Sequence, residues 1–408
     1  MTLEAKALEH TDYDILIAGA GPAGCAAAYD LARAGRRVLL LDRRSFPRPK
    51  ACACGLTRKT LNALRYSVDP VVERVCNEIV LQRAAEHATI ADKSAEVRIR
   101  SRNPICAMAV RERFDHFCLQ QTLASGTNGG SVTLRKIETI AALRELPTHI
   151  ELDILTATGP ETLRAAVLIG ADGSNGQTRR LAERTPQDPP WYTRGFALEA
   201  LIPYTSLPKN LPAGDGSHDL VFDFSPIPGG YGWLFPKGDH INIGVGAFAP
   251  ESSDARLKAV TRTLLADYTL QKLGVPLPAE VTGQHLGMGG HAYVPRGRVL
   301  LAGDAAGLVD PLTGEGIHSA IVSGQAAAAA ILETFGSSSP DPATAYARRL
   351  APLQQTLAFS HRAARAFYRE PERGFRAMKL PFLRSLVLKT YADGLPHTRL
   401  LTALAKLV

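Results

Sequence analysis

Short, wholly apolar runs closed by glycine punctuate this chain, a pattern that predicts strands buried on both faces. The first is Tyr13–Ala18, which leads straight into Gly19. An Ala-rich stretch from Pro22 predicts a helix that Gly35 stops. Arg37–Leu41 is the next run and ends at Asp42. Strand, glycine turn, helix and strand in this order make a β-α-β unit. Residues 46–60 are rich in Pro and Cys and then helical, and Val110–Leu123 predicts a helix. Ile150–Ala157 and Leu163–Gly170 predict strands flanking a turn at Thr158–Glu161. From about 186 to 290, frequent Pro and Gly and alternating runs such as Ile241–Val245 predict an inserted antiparallel sheet. Val299–Ala302 predicts a returning core strand, Gly316–Phe335 a long helix, and Gly336–Pro340 a short linker. The last 70 or so residues read as mostly helical.

A chain of 408 residues exceeds what one core usually covers, so two interleaved domains are expected. The N-terminal residues lack a basic-then-apolar leader, and no apolar run is long enough to span a bilayer. All six cysteines lie in the first third and suggest no disulfide framework, which predicts a reducing cytoplasm. Cys52 and Cys54 form C-x-C without a second pair, so no zinc site is expected. The net charge of +8 sits entirely in residues 341–408, beside the apolar clusters Leu380–Leu388 and Leu400–Val408. Two readings follow: a helix lying on an anionic membrane surface or acidic partner, or a helical tail packed on the core. No nucleic-acid motif is visible, and nucleic acid is not an expected partner.

Gly19, Gly21 and Gly24, with Ala23 between them, allow a tight turn and close backbone approach to a pyrophosphate. The helix beginning near Pro22 offers free N–H groups to phosphate, and Asp42 stands where a carboxylate accepts ribose hydroxyls. On this motif alone NAD(P) and FAD both remain open. A second segment, LAGDAAGLVDPLTGEGIHSA at Leu301–Ala320, points to FAD, because the chain then closes on one dinucleotide from both ends. Within it, Gly303 and Asp304 suit a ribitol hydroxyl. Gly314, Gly316 and Ile317 open a helix whose dipole can face the flavin pyrimidine. Asp172, in the turn after Val167–Gly170, either organises the loop over the pyrophosphate or serves the turn alone. Arg111 reaches a phosphate or ribityl chain, or is a solvated helix charge; Arg113 is expected in solvent and His318 in packing.

Together these motifs resemble the geranylgeranyl reductase family of FAD-dependent oxidoreductases over residues 13–335. The most specific element is PGGYGWLFP at Pro228–Pro236, which fits P-x-x-Y-x-W-x-F-P, followed by KGDHINIGVG. Lys50–Leu56, KACACGL, is similar to the family's Cys-Gly-x-Gly segment beside the flavin. Cys52 and Gly55 match, Ala53 replaces a glycine, and Cys54 fills the variable position.

The resemblance implies an α/β, FAD-binding Rossmann-like fold of the glutathione-reductase/hydroxybenzoate-hydroxylase type. An antiparallel β substrate domain is inserted in it and a helical C-terminal region follows. Residues 1–75, 101–185 and 291–335 are assigned to the FAD-binding domain, 76–100 and 186–290 to the substrate domain, and 336–408 to the basic helical region. The implied reaction reduces isolated C=C bonds of a prenyl chain, with FAD as cofactor and NADPH or reduced ferredoxin as electron donor. The implied substrate is an isoprenoid or prenylated lipid, and peripheral membrane contact would run through the basic C-terminus. Tyr231 and Trp233 would wall the pocket, and Cys52 would shape access or assist protonation. The rival on the same fold is a flavin monooxygenase. A quinone-reducing electron-transfer flavoprotein is disfavoured, because no late cysteines could hold its iron–sulfur cluster.

Overall fold

Four of the five parallel strands fall within predicted apolar runs; the fifth, Ser131–Lys136, is a half-exposed edge strand that the sequence pattern does not predict. The structure, a computed structural model, describes residues 13–83, 95–208, 220–248, 254–337, 341–378 and 380–394. Five strands lie parallel in the order Val299–Leu301, Val167–Gly170, Ile15–Ala18, Arg37–Asp42, Ser131–Lys136. Alternate residues of these strands face opposite layers. Ile15, Ile17 and Leu40 pack under the helices Pro22–Arg33 and Ile317–Thr334. Leu16, Leu39 and Leu41 pack on a three-stranded meander of Thr139–Glu145, Ile150–Thr156 and Gly159–Ala165. Both faces are therefore covered, which is why the strands read as continuous apolar runs.

Several predicted boundaries move, each for a physical reason. The first strand starts at Ile15, because the Asp14 carboxylate is turned aside to accept from the Arg37 backbone and guanidinium. The run predicted as one strand over Leu163–Gly170 splits at Ala166. Its first part alternates exposed and buried residues as a meander strand, whereas Val167–Gly170 is wholly buried in the parallel sheet. The turn before it is shorter than predicted, since Gly159 already begins the strand. Within residues 46–60, a strand at Gly55–Thr57 precedes the helix Arg58–Ala63 and pairs with Cys106–Ala109.

The inserted sheet has seven strands, in the order Thr282–Met288, Thr193–Pro203, His240–Ala247, Gly230–Pro236, Leu220–Asp223, Glu78–Arg83, Ala95–Arg100. It is antiparallel except where Leu220–Asp223 runs parallel to Glu78–Arg83. One face carries Phe196, Leu198, Ile241 and Ile243 under the helix Asp254–Leu273. The other face, with Phe222, Tyr231, Trp233 and Phe235, turns toward the dinucleotide half.

The basic C-terminus forms helices Pro342–Arg369, Pro371–Ala377 and Pro381–Asp393. Phe375 and Ala392 are buried, and Leu388 and Tyr391 pack beside them on the inserted sheet. This part of the tail is thus packed on the core. Leu400–Val408, Lys379 and residues 338–340 of the predicted linker lie outside the described residues. No described helix is long and apolar enough to cross a membrane.

Close backbone approach sets the geometry of the dinucleotide half. A Cβ on Gly24 would lie 1.9 Å from the Gly19 carbonyl oxygen, and one on Gly324 would lie 2.2 Å from that of Ala23. Gly324 therefore lets the helix Ile317–Thr334 touch the backbone of Pro22–Arg33. Gly24→Ala and Gly324→Ala should each destabilise the fold by about 1–3 kcal/mol through overpacking, checked by chemical denaturation. A second prediction concerns acid. Burial, with Lys59 nearby, depresses the His318 imidazole to about 3. Between pH ~6.5 and ~3 the unfolded chain binds a proton that the fold refuses, so stability falls as pH falls through that window. His318→Asn should move the acid-unfolding midpoint to lower pH.

Candidate functional site

Two helix N-termini open onto two adjoining cavities. The helix Pro22–Arg33 starts after Gly21 with no side-chain cap and no acid in its first turn, and Ile317–Thr334 starts after Gly316 in the same way. Helix starts with open N–H groups and unopposed dipoles favour an anionic ligand. A groove of about 430 Å³ lies at the first of them, lined by Gly19, Gly21, Ala23, Asp42, Asp172, Gly303 and Asp304. It meets a second cavity through Pro22, Lys50, Ala51, Gln284, Asp304 and Ala320. That cavity is lined by Cys52, Cys54, Gly55, Arg111, Gly314, Gly316 and Ile317 on one side and by Tyr231 and Trp233 on the other.

The residues singled out from sequence divide into those that line these cavities and those that hold them. Gly24 is absent from both linings and acts through helix–strand packing. Asp42 lines the groove while Oδ2 accepts from the Ala20 N–H at 2.8 Å and Oδ1 from that of Arg44 at 2.8 Å. Asp172 serves its turn: its carboxylate accepts from the Gln177 and Thr178 N–H groups and the Thr178 hydroxyl. Arg111 is not a solvated charge. Its guanidinium is buried and bidentate to Asp115, at 2.8 Å from both nitrogens. Burial alone would raise the Asp115 carboxyl, but Arg111, with Arg48 and Lys50, holds it below the usual range. Arg113 pairs with Glu73 at the surface. The Asp304 carboxylate lines both cavities and makes no protein hydrogen bond among the described residues. Cys54 takes a positive φ of 47° and donates its N–H to the Cys52 sulfur at 3.3 Å.

The Gly314–Gly316 turn is pinned from two sides. The Tyr231 hydroxyl donates to the Thr313 carbonyl. From the C-terminal helix, Tyr368 donates to the Leu312 carbonyl at 2.7 Å and Ser360 to Asp310 Oδ2 at 2.8 Å. The groove, two open helix starts and an adjoining cavity fit FAD: the first helix start would hold its phosphates, and Lys50–Gly55 with the second helix start would hold its ring system. No metal-binding cluster occurs among the described residues.

Sequence reasoning missed a polar chain across the inserted sheet. Trp233 stands opposite Gly244, and Glu199 stands opposite the same glycine from the other side. A Cβ on Gly244 would sit 2.0 Å from the Trp233 ring, so glycine there lets the indole lie on the sheet. The indole N–H donates to Asn242 Oδ1 at 2.7 Å, the Asn242 side chain hydrogen-bonds to Glu199, and Glu199 Oε1 accepts from the Cys52 N–H at 2.8 Å. Glu199 and Asn242 are both buried. Each is a lone polar residue inside an apolar strand run, ALEAL and INIGV, and that was the available signal. Lys50 also lines both cavities, and burial, with Arg111 nearby, lowers its ammonium pKa.

A third cavity of about 650 Å³ opens from the second and shares Phe222, Tyr231, Thr313 and Tyr391 with it. Its walls are the inserted sheet (Ile79, Leu81, Ile99) and the C-terminal helices (Phe367, Phe375, Leu383), an overwhelmingly apolar lining.

Comparison with known proteins gives this architecture its context. Residues 12–193 match the FAD binding domain family. An uncharacterised protein of Methanosarcina barkeri is 33% identical, over 80% of this chain and 76% of its own. The menaquinone reductase of Mycolicibacterium smegmatis is 30% identical, over 78% of this chain and 76% of its own. The geranylgeranyl diphosphate reductase of Rhodobacter capsulatus is 28% identical, over 80% and 77%. Among solved structures, a geranylgeranyl bacteriochlorophyll reductase-like protein of Thermoplasma acidophilum superimposes with a TM-score of 0.72 at 19% identity, covering 95% of this chain and 98% of its own. The flavin-dependent brominase Bmp2 also gives 0.72, at 18% identity and 93% of both chains, so one fold serves both groups.

Gly244→Val should displace the indole from the sheet while leaving the dinucleotide groove intact. The expected outcome is a red-shifted tryptophan emission with flavin content unchanged.

Proposed function

The chain belongs to the geranylgeranyl reductase family of FAD-dependent oxidoreductases, and on that premise we propose that it saturates isolated C=C bonds in an isoprenoid chain. The observation that carries this reading is the apolar cavity of about 650 Å³ that runs into the ring cavity past Tyr231 and Phe222. Its lining suits a long hydrocarbon with few polar groups. Reduced FAD, when bound, supplies the hydride for such a reaction. The protein's part is positional: an unactivated alkene has no carbonyl to polarise, so the walls must hold it against the ring and keep water out. Tyr231 and Trp233, edge-on to each other at 6.1 Å, give that wall a fixed shape.

The sequence carries no second dinucleotide fingerprint, so it does not name the electron donor; in this proposal the donor is NADPH or a reduced ferredoxin. Substrate delivery from a membrane surface is supported by the helix Pro381–Asp393, where Leu380 and Phe382 are exposed at its start and Lys389 is exposed further along.

An anaerobic assay tests the activity. The purified flavoprotein is reduced with dithionite and given geranylgeranyl diphosphate or a menaquinone, and products are weighed by mass spectrometry. Mass gains in steps of two hydrogens are expected. Oxygen insertion in an aerobic control with NADPH, without such gains, would move the protein to the monooxygenases. Trp233→Ala should keep its flavin and lose turnover by about tenfold or more, since a misplaced alkene forfeits the orientation term.

A further inference from the structure

We infer that Glu199 is the proton donor of the reduction, holding one proton inside the ring cavity and delivering it to the alkene carbon that does not receive the hydride. The inference rests on the prenyl-reductase reading. Glu199 lies on the Thr193–Pro203 strand with its side chain on the cavity face, opposite the helix-covered face that carries Leu198 and Ala200. It is 5% exposed, and its neighbours on the sheet are Gly244 and, beyond it, the Trp233 indole. The Asn242 amide fixes both groups, accepting from Trp233 and bonding to Glu199. The Cys52 N–H holds Oε1, so the carboxyl is fixed in place beside the cavity. The acid is thus held between the two most specific segments of the sequence.

Four other groups in or beside this cavity are committed elsewhere, while Lys50, Cys52, Gln284 and Asp304 also line it. Glu315 pairs with Lys59 at 2.5 Å and accepts from Thr57 and Thr60, so it is an ion-paired carboxylate. The Tyr231 hydroxyl is given to the Thr313 carbonyl, and Lys237 Nζ to the carbonyls of Ala53 and Ala109. Burial pushes the Cys54 thiol far up, making it a poor acid. For Glu199, burial raises the carboxyl above its ordinary value, outweighing the Cys52 N–H, Asn242 and the charges of Lys237 and Arg111, which lower it. A carboxyl that burial makes hold its proton more tightly is suited to act as a general acid.

The step balances. The Glu199 O–H bond breaks and its electron pair stays on the carboxylate. The alkene π pair forms the new C–H bond, and the other carbon takes a hydride, with two electrons, from the reduced flavin. The carboxylate then regains a proton from water when the product leaves.

Infrared spectroscopy of the purified flavoprotein tests this without turnover. The difference between wild type and Glu199→Gln near neutral pH should show the carbonyl stretch of a protonated carboxylic acid in wild type only. Turnover with the prenyl substrate should fall about 10²–10⁴-fold in Glu199→Gln with flavin content unchanged, and recover in part in Glu199→Asp. If Glu199→Gln does not fold, the Glu199→Asp variant must still show the acid band, shifted from that of wild type. A wild type without the band, or a Glu199→Gln enzyme at the wild-type rate, overturns the inference. A wild type that shows the band but reduces no prenyl chain overturns the substrate reading and, with it, the assignment of the proton to an alkene.

Discussion

The contact between Gly324 and the carbonyl of Ala23 brings the two ends of this chain together. It lets the backbone of a late helix touch that of the first one, and the two helices point their open ends at adjoining cavities. A side chain there would push the helices apart and separate the half of the site that holds phosphates from the half that faces the ring. Gly24 performs the same service one layer down, between helix and sheet. The cofactor groove is therefore a by-product of backbone packing. Open peptide N–H groups contribute to its chemistry, beside charged side chains that line it, among them Asp42, Asp304, Arg43, Arg44, Arg48 and Lys50.

The other half of the site solves a different problem. The inserted sheet must present an apolar wall and still keep a few polar atoms inside it. It does so by satisfying each of them from within: indole to amide, amide to carboxyl, carboxyl to a backbone N–H. A fully satisfied network of this kind fixes one arrangement of the wall, whereas an unpaired member would be costly in so dry a place. Arg111 and Asp115 follow the same rule, each the other's partner under the cysteine-bearing loop.

The cofactor half was legible in the sequence because its signals are local. Glycines at fixed offsets, a run of apolar residues and an acid at the strand end all act within a few residues of one another. Gly19, Gly21, Asp42, Asp304 and Gly316 were found in this way. The aromatic strand was legible only through resemblance, since Tyr231 and Trp233 alone read as ordinary core residues. Glu199, Asn242 and Tyr391 escaped because their meaning depends on pairing between strands and helices far apart in sequence. A lone acid in ALEAL marks a buried charge but does not say what it faces. The split at Ala166 escaped for a related reason: two adjacent strands of similar composition join different sheets, and only burial on one face or on two separates them.

Tyr391, near the end of the described chain, forms part of the wall of both the ring cavity and the apolar cavity. During synthesis, then, the groove for the dinucleotide can close once the strand at Val299–Leu301 and its following helix have emerged. The apolar cavity cannot, because its outer wall is made of the later helices between Pro342 and Asp393. For that interval the nascent protein carries a finished nucleotide cradle next to an open greasy trough. The trough is roofed over only when the helices that begin at Pro342 have packed across it.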